Sequence, residues 1–251
     1  MAGGIELKTK DELARMREAG LVVYEVLQKL REAAAPGVSL LELDAIAAAE
    51  THKRGGLCIF KGYRGYPASV CLSPNGVVVH GIPTKAKLVE GDILSIDFGV
   101  IKNGWVGDSA VTIPIGKVSP EAQALLDATR ESLERGIAKM VAGGRVSDIG
   151  AAVEDYVVPR GYSVVRDYVG HGIGKKMHEE PQVPNYGPAG SGPRLKAGMV
   201  LAVEPMVNQG TADVETLDDD WTVVTADGKL SAHFEHTIAI TEDGPVVLTR
   251  P

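Results

Sequence analysis

The stretch that decides the fold runs from residue 93 to residue 113 and reads ILSIDFGVIK-NG-WVGDSAVTI. Asn103-Gly104 is typical of the two-residue turn that joins the strands of a β-hairpin, and the runs on both sides are β-like. We therefore expect antiparallel strands over residues 93–102 and 105–113, with Lys102 facing Trp105.

This hairpin brings two carboxylates onto one face. Asp97 faces Ala110 and Asp108 faces Gly99 in the expected register, and because side chains alternate along a strand, all four share a face. The two aspartates are then diagonal neighbours, about 7–8 Å apart or less. The small residues opposite them leave room, so both carboxyl groups can converge on one point.

Two further acids stand where strands rarely carry them. Glu204 ends the run 200–204, and Glu235 precedes the run 237–240. One acid in a strand is usually an edge residue or a salt-bridge partner. Four of them, with no lysine or arginine beside them in the strands, favour a bound cation, because burying unpaired carboxylates costs several kcal/mol each. The pattern does not itself show that the four meet.

The rest of the chain alternates helical and β-like segments. Helices are expected after caps at Thr9, Ser39 and Ser119, and from Ser147 to Pro159; the third should end near Gly143-Gly144. Shorter strands are expected over residues 69–72, 77–80, 199–207, 221–225 and 234–240, with a turn at residues 74–76. We interpret this as an α+β protein of two related α/β halves around one antiparallel sheet, in a single domain over residues 1–251.

Composition and charge exclude several classes of protein. The 251 residues are 44% hydrophobic with a net charge of −7, which argues against disorder and against a basic nucleic-acid-binding face; no nucleic-acid motif is present. No apolar run approaches a membrane span, and the charged first 20 residues do not form a signal peptide. Cys58 and Cys71 favour reduced cytosolic thiols, although a bridge between them stays open.

Three histidines lie in short glycine- or methionine-containing motifs. His171 lies in the glycine-rich segment 170–174 (GHGIG), expected to be a turn; His178 lies in MHEEP, and His80 in VHGIP. A single loop histidine is usually just solvated. Together with the strand acids, the three favour a metallohydrolase over an accidental pattern.

These motifs resemble a known family. The segments 168–174 (YVGHGIG), 62–71 (GYRGYPASVC) and 80–83 (HGIP) are similar to those of type I methionine aminopeptidases in their short bacterial form. The resemblance covers nearly the whole chain. It implies the pita-bread fold, in which two pseudo-symmetric α/β halves surround a curved antiparallel sheet and the helices lie on its outer face.

The resemblance also implies a metal centre and catalytic residues. Two divalent ions (Co, Mn, Fe or Zn) would activate a water for hydrolysis. Glu204 would act as the general base, His178 would bind the scissile carbonyl, and His80 would contact the scissile amide. The implied metal ligands are Asp97, Asp108, His171, Glu204 and Glu235.

The same resemblance implies a methionine pocket beside the metals. A monovalent cation is further implied near Ser231. The implied substrate-binding residues are His80, His178, Phe60, Tyr63, Tyr66, Cys71, Met177 and Trp221.

The implied function is removal of the initiator methionine from nascent polypeptide N-termini whose second residue is small. Met1-Ala2 of this chain would itself be such a substrate. A cytoplasmic monomer is expected, with the ribosome as a further partner. Two alternatives stay open: an X-Pro aminopeptidase or prolidase-like activity, and a non-catalytic binding protein on the same fold.

Overall fold

The computed structural model, which describes residues 4–251, contains four α-helices, two short 3₁₀ helices (Tyr63–Gly65 and Val158–Arg160) and fifteen strands. The α-helices are α1 (Lys10–Ala33), α2 (Leu40–Lys53), α3 (Pro120–Ile137) and α4 (Val146–Val157). The strands are β1 (Leu57–Cys58), β2 (Cys71–Pro74), β3 (Val77–Val79), β4 (Ile93–Lys102), β5 (Trp105–Pro114), β6 (Ser163–Val164), β7 (Gly170–Gly172), β8 (Glu179–Val183), β9 (Val200–Val203), β10 (Met206–Asn208), β11 (Val214–Thr216), β12 (Val223–Thr225), β13 (Ser231–His233), β14 (His236–Thr241) and β15 (Gly244–Val247). Met1-Ala2 lies outside the described residues.

Three of the four α-helices begin at the N-caps that the sequence predicts. Thr9 and Ser39 form capping boxes at the starts of α1 and α2, and the Ser119 hydroxyl accepts from the Ala122 N–H at 3.1 Å. The fourth start differs: α4 begins at Val146 rather than at Ser147, because the Asp148 carboxylate accepts from the Arg145 N–H at 2.7 Å.

The third helix ends at Ile137, several residues before Gly143-Gly144. The Lys139 N–H bonds to the Gly136 carbonyl and the Met140 N–H to the Ile137 carbonyl, which tightens the chain into short turns. Met140 is thereby fully buried in the core. The predicted position of this helix end was therefore wrong.

The central hairpin forms in the expected register. Lys102 pairs with Trp105, Asp97 with Ala110 and Gly99 with Asp108. All strand pairs within residues 4–251 are antiparallel, in agreement with the predicted fold class. They form four hydrogen-bonded sheets rather than one continuous sheet: β1, β2 and β5 on β4; β13-β10-β6; β11-β12-β3; and β15-β14-β9-β7-β8.

Each half buries a pair of helices against strands. α1 and α2 pack on the hairpin side through a cluster that includes Leu30, Leu43 and Phe98. α3 and α4 pack on the other side, through a cluster that includes Leu133 and Ile238. The halves are joined where residue 235, just before β14, exchanges backbone hydrogen bonds with residue 110 of β5. These hydrogen bonds place the start of β14 against the hairpin.

The structure bears on the membrane span that the sequence excluded and on the cysteine bridge that it left open. No helix within residues 4–251 is long and apolar enough to cross a membrane. Both cysteines are free, and Cys58 and Cys71 pair with different parts of β4, opposite Val100 and Asp97 respectively.

Candidate metal centre

One cavity of about 250 Å³ collects the residues that the sequence singled out. Its lining includes every predicted metal ligand, catalytic residue and pocket residue: Phe60, Tyr63, Tyr66, Cys71, His80, Asp97, Asp108, His171, Met177, His178, Glu204, Trp221 and Glu235. Ser231 is the exception. It lies on β13 with a buried hydroxyl that has no hydrogen-bond partner, outside this lining.

The hairpin supplies two carboxylates to the cavity. Asp97 and Asp108 project from paired strands with Ala110 and Gly99 opposite them. A Cβ added at Gly99 would lie 3.1 Å from Asp108 Oδ1 and 2.6 Å from Ile59 Cγ2. The absence of a side chain at residue 99 therefore makes the space into which the Asp108 carboxylate fits.

The second sheet supplies His171 from a strand rather than from the expected turn. Gly170 and Gly172 lie so close to neighbouring strands that a Cβ would meet the Ala202 carbonyl oxygen at 2.3 Å and the Glu180 carbonyl oxygen at 2.1 Å. The glycines thus permit tight strand packing, and β7 forms between β8 and β9. The prediction of a turn here was wrong for this reason.

Two glutamates complete the group of acids. Glu204 directly follows β9, whose Ala202 pairs with His171. Glu235 directly precedes β14, and its backbone bonds to Ala110 with N···O distances of 2.9 and 3.3 Å. Contacts between strands distant in sequence thus bring both glutamates to the hairpin carboxylates.

The distances and unpaired atoms fit a cation. Asp108, His171 and Glu235 each offer a ligand atom, and these atoms lie within 4.8 Å of one another. Asp97 and Glu204 line the same cavity but stand outside that tightest group. Buried oxygens of Asp97, Asp108 and Glu235 have no hydrogen-bond partner. Unpartnered buried carboxylate oxygens are the donors that a divalent ion would satisfy.

Electrostatics supports the same interpretation. Burial raises the pKa of Asp97, Asp108, Glu204 and Glu235, and the neighbouring carboxylates raise it further for Asp97, Glu204 and Glu235. Clustered acids in this setting repel one another when ionised. A cation would offset that repulsion and stabilise the ionised forms.

Two histidines stand beside the acids. The His178 ring centroid lies 4.3 Å from that of His171, and His178 Nδ1 lies 2.8 Å from the Tyr63 hydroxyl. His80, with φ of 59°, has its ring edge-on to Tyr168 and Trp221. Burial lowers the pKa of His80 to about 4, so its imidazole is neutral at neutral pH.

An apolar wall borders the same cavity. Phe60, Tyr66 and Cys71 are buried together, with Met177 and Trp221 packed against them. The Tyr66 ring meets Phe60 and Trp221 edge to face, and its hydroxyl donates to the Gly81 carbonyl at 2.9 Å. With its polar atom satisfied, Tyr66 leaves an apolar ring for a ligand side chain.

Sequence reasoning missed one histidine at the site. His233 on β13 is 1% exposed, both its ring nitrogens lack hydrogen-bond partners, and Nε2 lies 3.8 Å from Glu204 Oε2. Its position two residues before Glu235 was the available signal.

Thr237 was also missed. Its hydroxyl donates to the Asp108 carbonyl at 2.7 Å and accepts from the Asp108 N–H at 3.1 Å. It therefore fixes the backbone of one candidate ligand from the opposite half.

Comparisons with known proteins identify relatives of the chain. The model of metallopeptidase family M24 matches residues 14–242. The chain is 52% identical to a methionine aminopeptidase of Clostridium acetobutylicum over 246 residues, covering 98% of both proteins. It is 53% identical to methionine aminopeptidase 1 of Bacillus subtilis over 243 residues, covering 97% of this chain and 98% of that protein.

Solved structures give the same picture. The methionine aminopeptidase of Thermotoga maritima superimposes with a TM-score of 0.97 at 42% identity, over 99% of this chain and 100% of that one. The prolidase of Pyrococcus furiosus shares the fold, with a TM-score of 0.77 at 20% identity, over 98% of this chain and 65% of that one.

Proposed function

Because the chain belongs to metallopeptidase family M24, and within it to the type I methionine aminopeptidases, we propose that it removes the N-terminal methionine from nascent proteins and peptides whose second residue is small. The activity is that of a metal-dependent exopeptidase, a hydrolase. The observation that carries the proposal is one cavity lined both by buried acids with His171 and by an apolar cluster.

The metal-holding residues are Asp97, Asp108, His171, Glu204 and Glu235. Four carboxylates and one imidazole suit two divalent ions from the set Co²⁺, Mn²⁺, Fe²⁺ and Zn²⁺. Such ions, when bound, polarise a carbonyl oxygen and lower the pKa of water towards neutrality. The unpartnered oxygens of Asp97, Asp108 and Glu235 support this assignment.

Glu204 is the general base in this proposal. Glu204 lines the cavity with the other acids, and its Oε1 lies 3.5 Å from His171 Nε2, so its carboxylate can reach a water held among the candidate ligands. Glu204 takes the proton from the attacking water as the water adds to the scissile carbonyl.

The two histidines serve the substrate amide. A Tyr63 hydroxyl that donates to His178 Nδ1 leaves the Nε2–H of His178 free to donate to the scissile carbonyl oxygen as negative charge develops there. His80, neutral and half enclosed by Tyr168 and Trp221, contacts the scissile amide and helps to pass a proton to the leaving amine.

The apolar wall binds the methionine side chain. Phe60, Tyr66 and Cys71 form its base, with Met177 and Trp221 beside them. An apolar and polarisable surface suits an unbranched thioether, which gains from sulfur–aromatic contacts.

The remaining proposals concern the whole chain. The site draws on residues from both halves, which supports a single domain. Nascent chains as substrates support action in the cytoplasm, in accord with two free cysteines.

The test is hydrolysis of defined peptides by metal-reconstituted protein. Met-Ala-Ser should lose its methionine, Met-Leu-Ser should react much more slowly, and Ala-Pro peptides should stay intact. Folded, metal-reconstituted protein that leaves Met-Ala-Ser intact would overturn the proposal. Preferential cleavage of Ala-Pro would instead support an X-Pro peptidase, and binding without hydrolysis would support a non-catalytic protein.

A further inference from the structure

A buried ion pair lies behind the loop that carries His178. Lys8 Nζ lies 2.5 Å from Glu179 Oε2, and the two side chains are only 4% and 13% exposed. Neither residue lines the main cavity, and the proposed chemistry uses neither. A lysine near the start of the chain is thus held against the residue that follows His178.

Glu179 organises this loop from within. Its Oε1 accepts from the backbone N–H groups of Lys175 and Lys176 at 2.9 and 3.2 Å. A Cβ at Gly174 would lie 2.6 Å from both Glu179 Oε1 and Lys8 Cε, so the loop wraps closely around the pair. One carboxylate therefore ties residues 174–179 together.

The backbone of Lys8 is bonded to the segment that precedes β9. Its backbone N–H donates to the Gly198 carbonyl at 2.7 Å, just before β9, the strand that leads to Glu204. The pair consequently joins the strand that presents Glu204 to the loop that presents His178.

We propose that Lys8 and Glu179 are positioning residues, which hold the 174–179 loop so that His178 meets the substrate. The proposal rests on the proposed function, because it assumes that His178 binds the scissile carbonyl. A displacement of about 1 Å in such a group can cost on the order of 100-fold in rate. The pair acts on the reaction through His178 and touches no reacting atom.

A role in stability alone makes a different prediction. Removing one partner of a buried ion pair leaves an uncompensated charge and destabilises the fold, whereas replacing both partners together is often neutral. Stability and catalysis can therefore be separated with two single variants and their combination.

The experiment uses Lys8→Met, Glu179→Gln and the double variant of the metal-reconstituted enzyme. Glutamine in place of Glu179 keeps an oxygen for the two loop N–H groups, and methionine in place of Lys8 keeps much of the length of the side chain. We measure the melting temperature, and kcat and KM for Met-Ala-Ser. Both single variants should melt at lower temperature. In the double variant the melting temperature should recover while kcat stays about tenfold or more below wild type, with KM nearly unchanged.

If both kcat and the melting temperature recover in the double variant, the proposal is overturned. Each residue would then serve only to neutralise the charge of its partner. A double variant that does not fold would also overturn the proposal, since the pair would be required by the fold itself. Wild-type protein that does not cleave Met-Ala-Ser would instead count against the proposed function.

A matched control is available at Arg54, the residue that caps the C-terminus of α2. Arg54 pairs with Glu25 and Glu50 and is 18% exposed, on the helical side of the hairpin. The only effect expected of Arg54→Met is a lower melting temperature, and kcat should stay unchanged.

Discussion

His171 Nε2 lies 3.5 Å from Glu204 Oε1, although no ion pair joins them. Burial lowers the pKa of His171 to about 3, so its imidazole is neutral at neutral pH. The proton of the neutral ring lies on Nδ1, which donates to the Gly172 carbonyl at 2.9 Å, so Nε2 offers a lone pair that faces the Glu204 carboxylate oxygen. That arrangement is explained by a cation to which both can bind.

Metal removal should lower stability as well as activity. Without a cation, the buried acids either repel one another or take up protons. Adding Mn²⁺ or Co²⁺ to chelator-treated protein at about 100 times its dissociation constant should raise the free energy of unfolding by about 2.7 kcal/mol. Denaturant titrations with and without metal measure this. Equal midpoints under both conditions would contradict a metal site.

The variant Glu204→Gln should keep the fold and lose turnover. Glutamine has the shape of glutamate but cannot accept the proton from water, and loss of a general base lowers rates by about 100-fold or more. Circular dichroism checks the fold, and peptide hydrolysis gives kcat. Full activity in this variant would refute the assigned role of Glu204.

The variant Gly99→Ala should disturb the metal centre from the opposite strand. The new Cβ would meet Ile59 Cγ2 at 2.6 Å and press on the Asp108 carboxylate. Overpacking of this kind destabilises by about 1–3 kcal/mol. Calorimetric titration with Mn²⁺ should show weaker binding.

The matched change Ala110→Gly removes a methyl group and so leaves more space on the same face of the hairpin. It should leave Mn²⁺ affinity near wild type, because nothing presses on Asp108. If both variants bind metal as well as wild type, the space beside Asp108 does not matter to the site.

The register of the hairpin could be predicted to the residue, and its second strand to within one residue, because the signals are local. Asn103-Gly104 fixes the turn, and two-residue alternation then fixes the register of Asp97 and Asp108. The short strand β7 could not be predicted in this way, since three residues show no periodicity and its glycines also suit a turn.

The meeting of the acids depends on contacts between distant residues. Glu235 reaches the hairpin through backbone bonds to Ala110, and His171 reaches Glu204 through pairing with Ala202. No local pattern encodes such pairings, and the five proposed ligands were named together only by the resemblance of several motifs to a family. His233 was missed because a single histidine before a strand looks like an ordinary solvated residue.

His233 should make the protein sensitive to acid. Burial lowers its pKa to about 3 from an ordinary value of 6.5. Between these values the unfolded chain binds a proton that the folded protein excludes, so stability falls as the pH drops below about 6.5. Chelator-treated wild-type protein should lose stability between about pH 7.5 and pH 5. In His233→Gln this loss should be smaller by about 2 kcal/mol.

Urea titrations at the two pH values measure this loss, with His52→Gln as the control. His52 is exposed on α2, so its replacement should leave the pH dependence of the wild type unchanged. The same loss of stability in His233→Gln as in wild type would show that other groups control the response to acid, because the neutral imidazole buried beside Glu204 would then take no part in it.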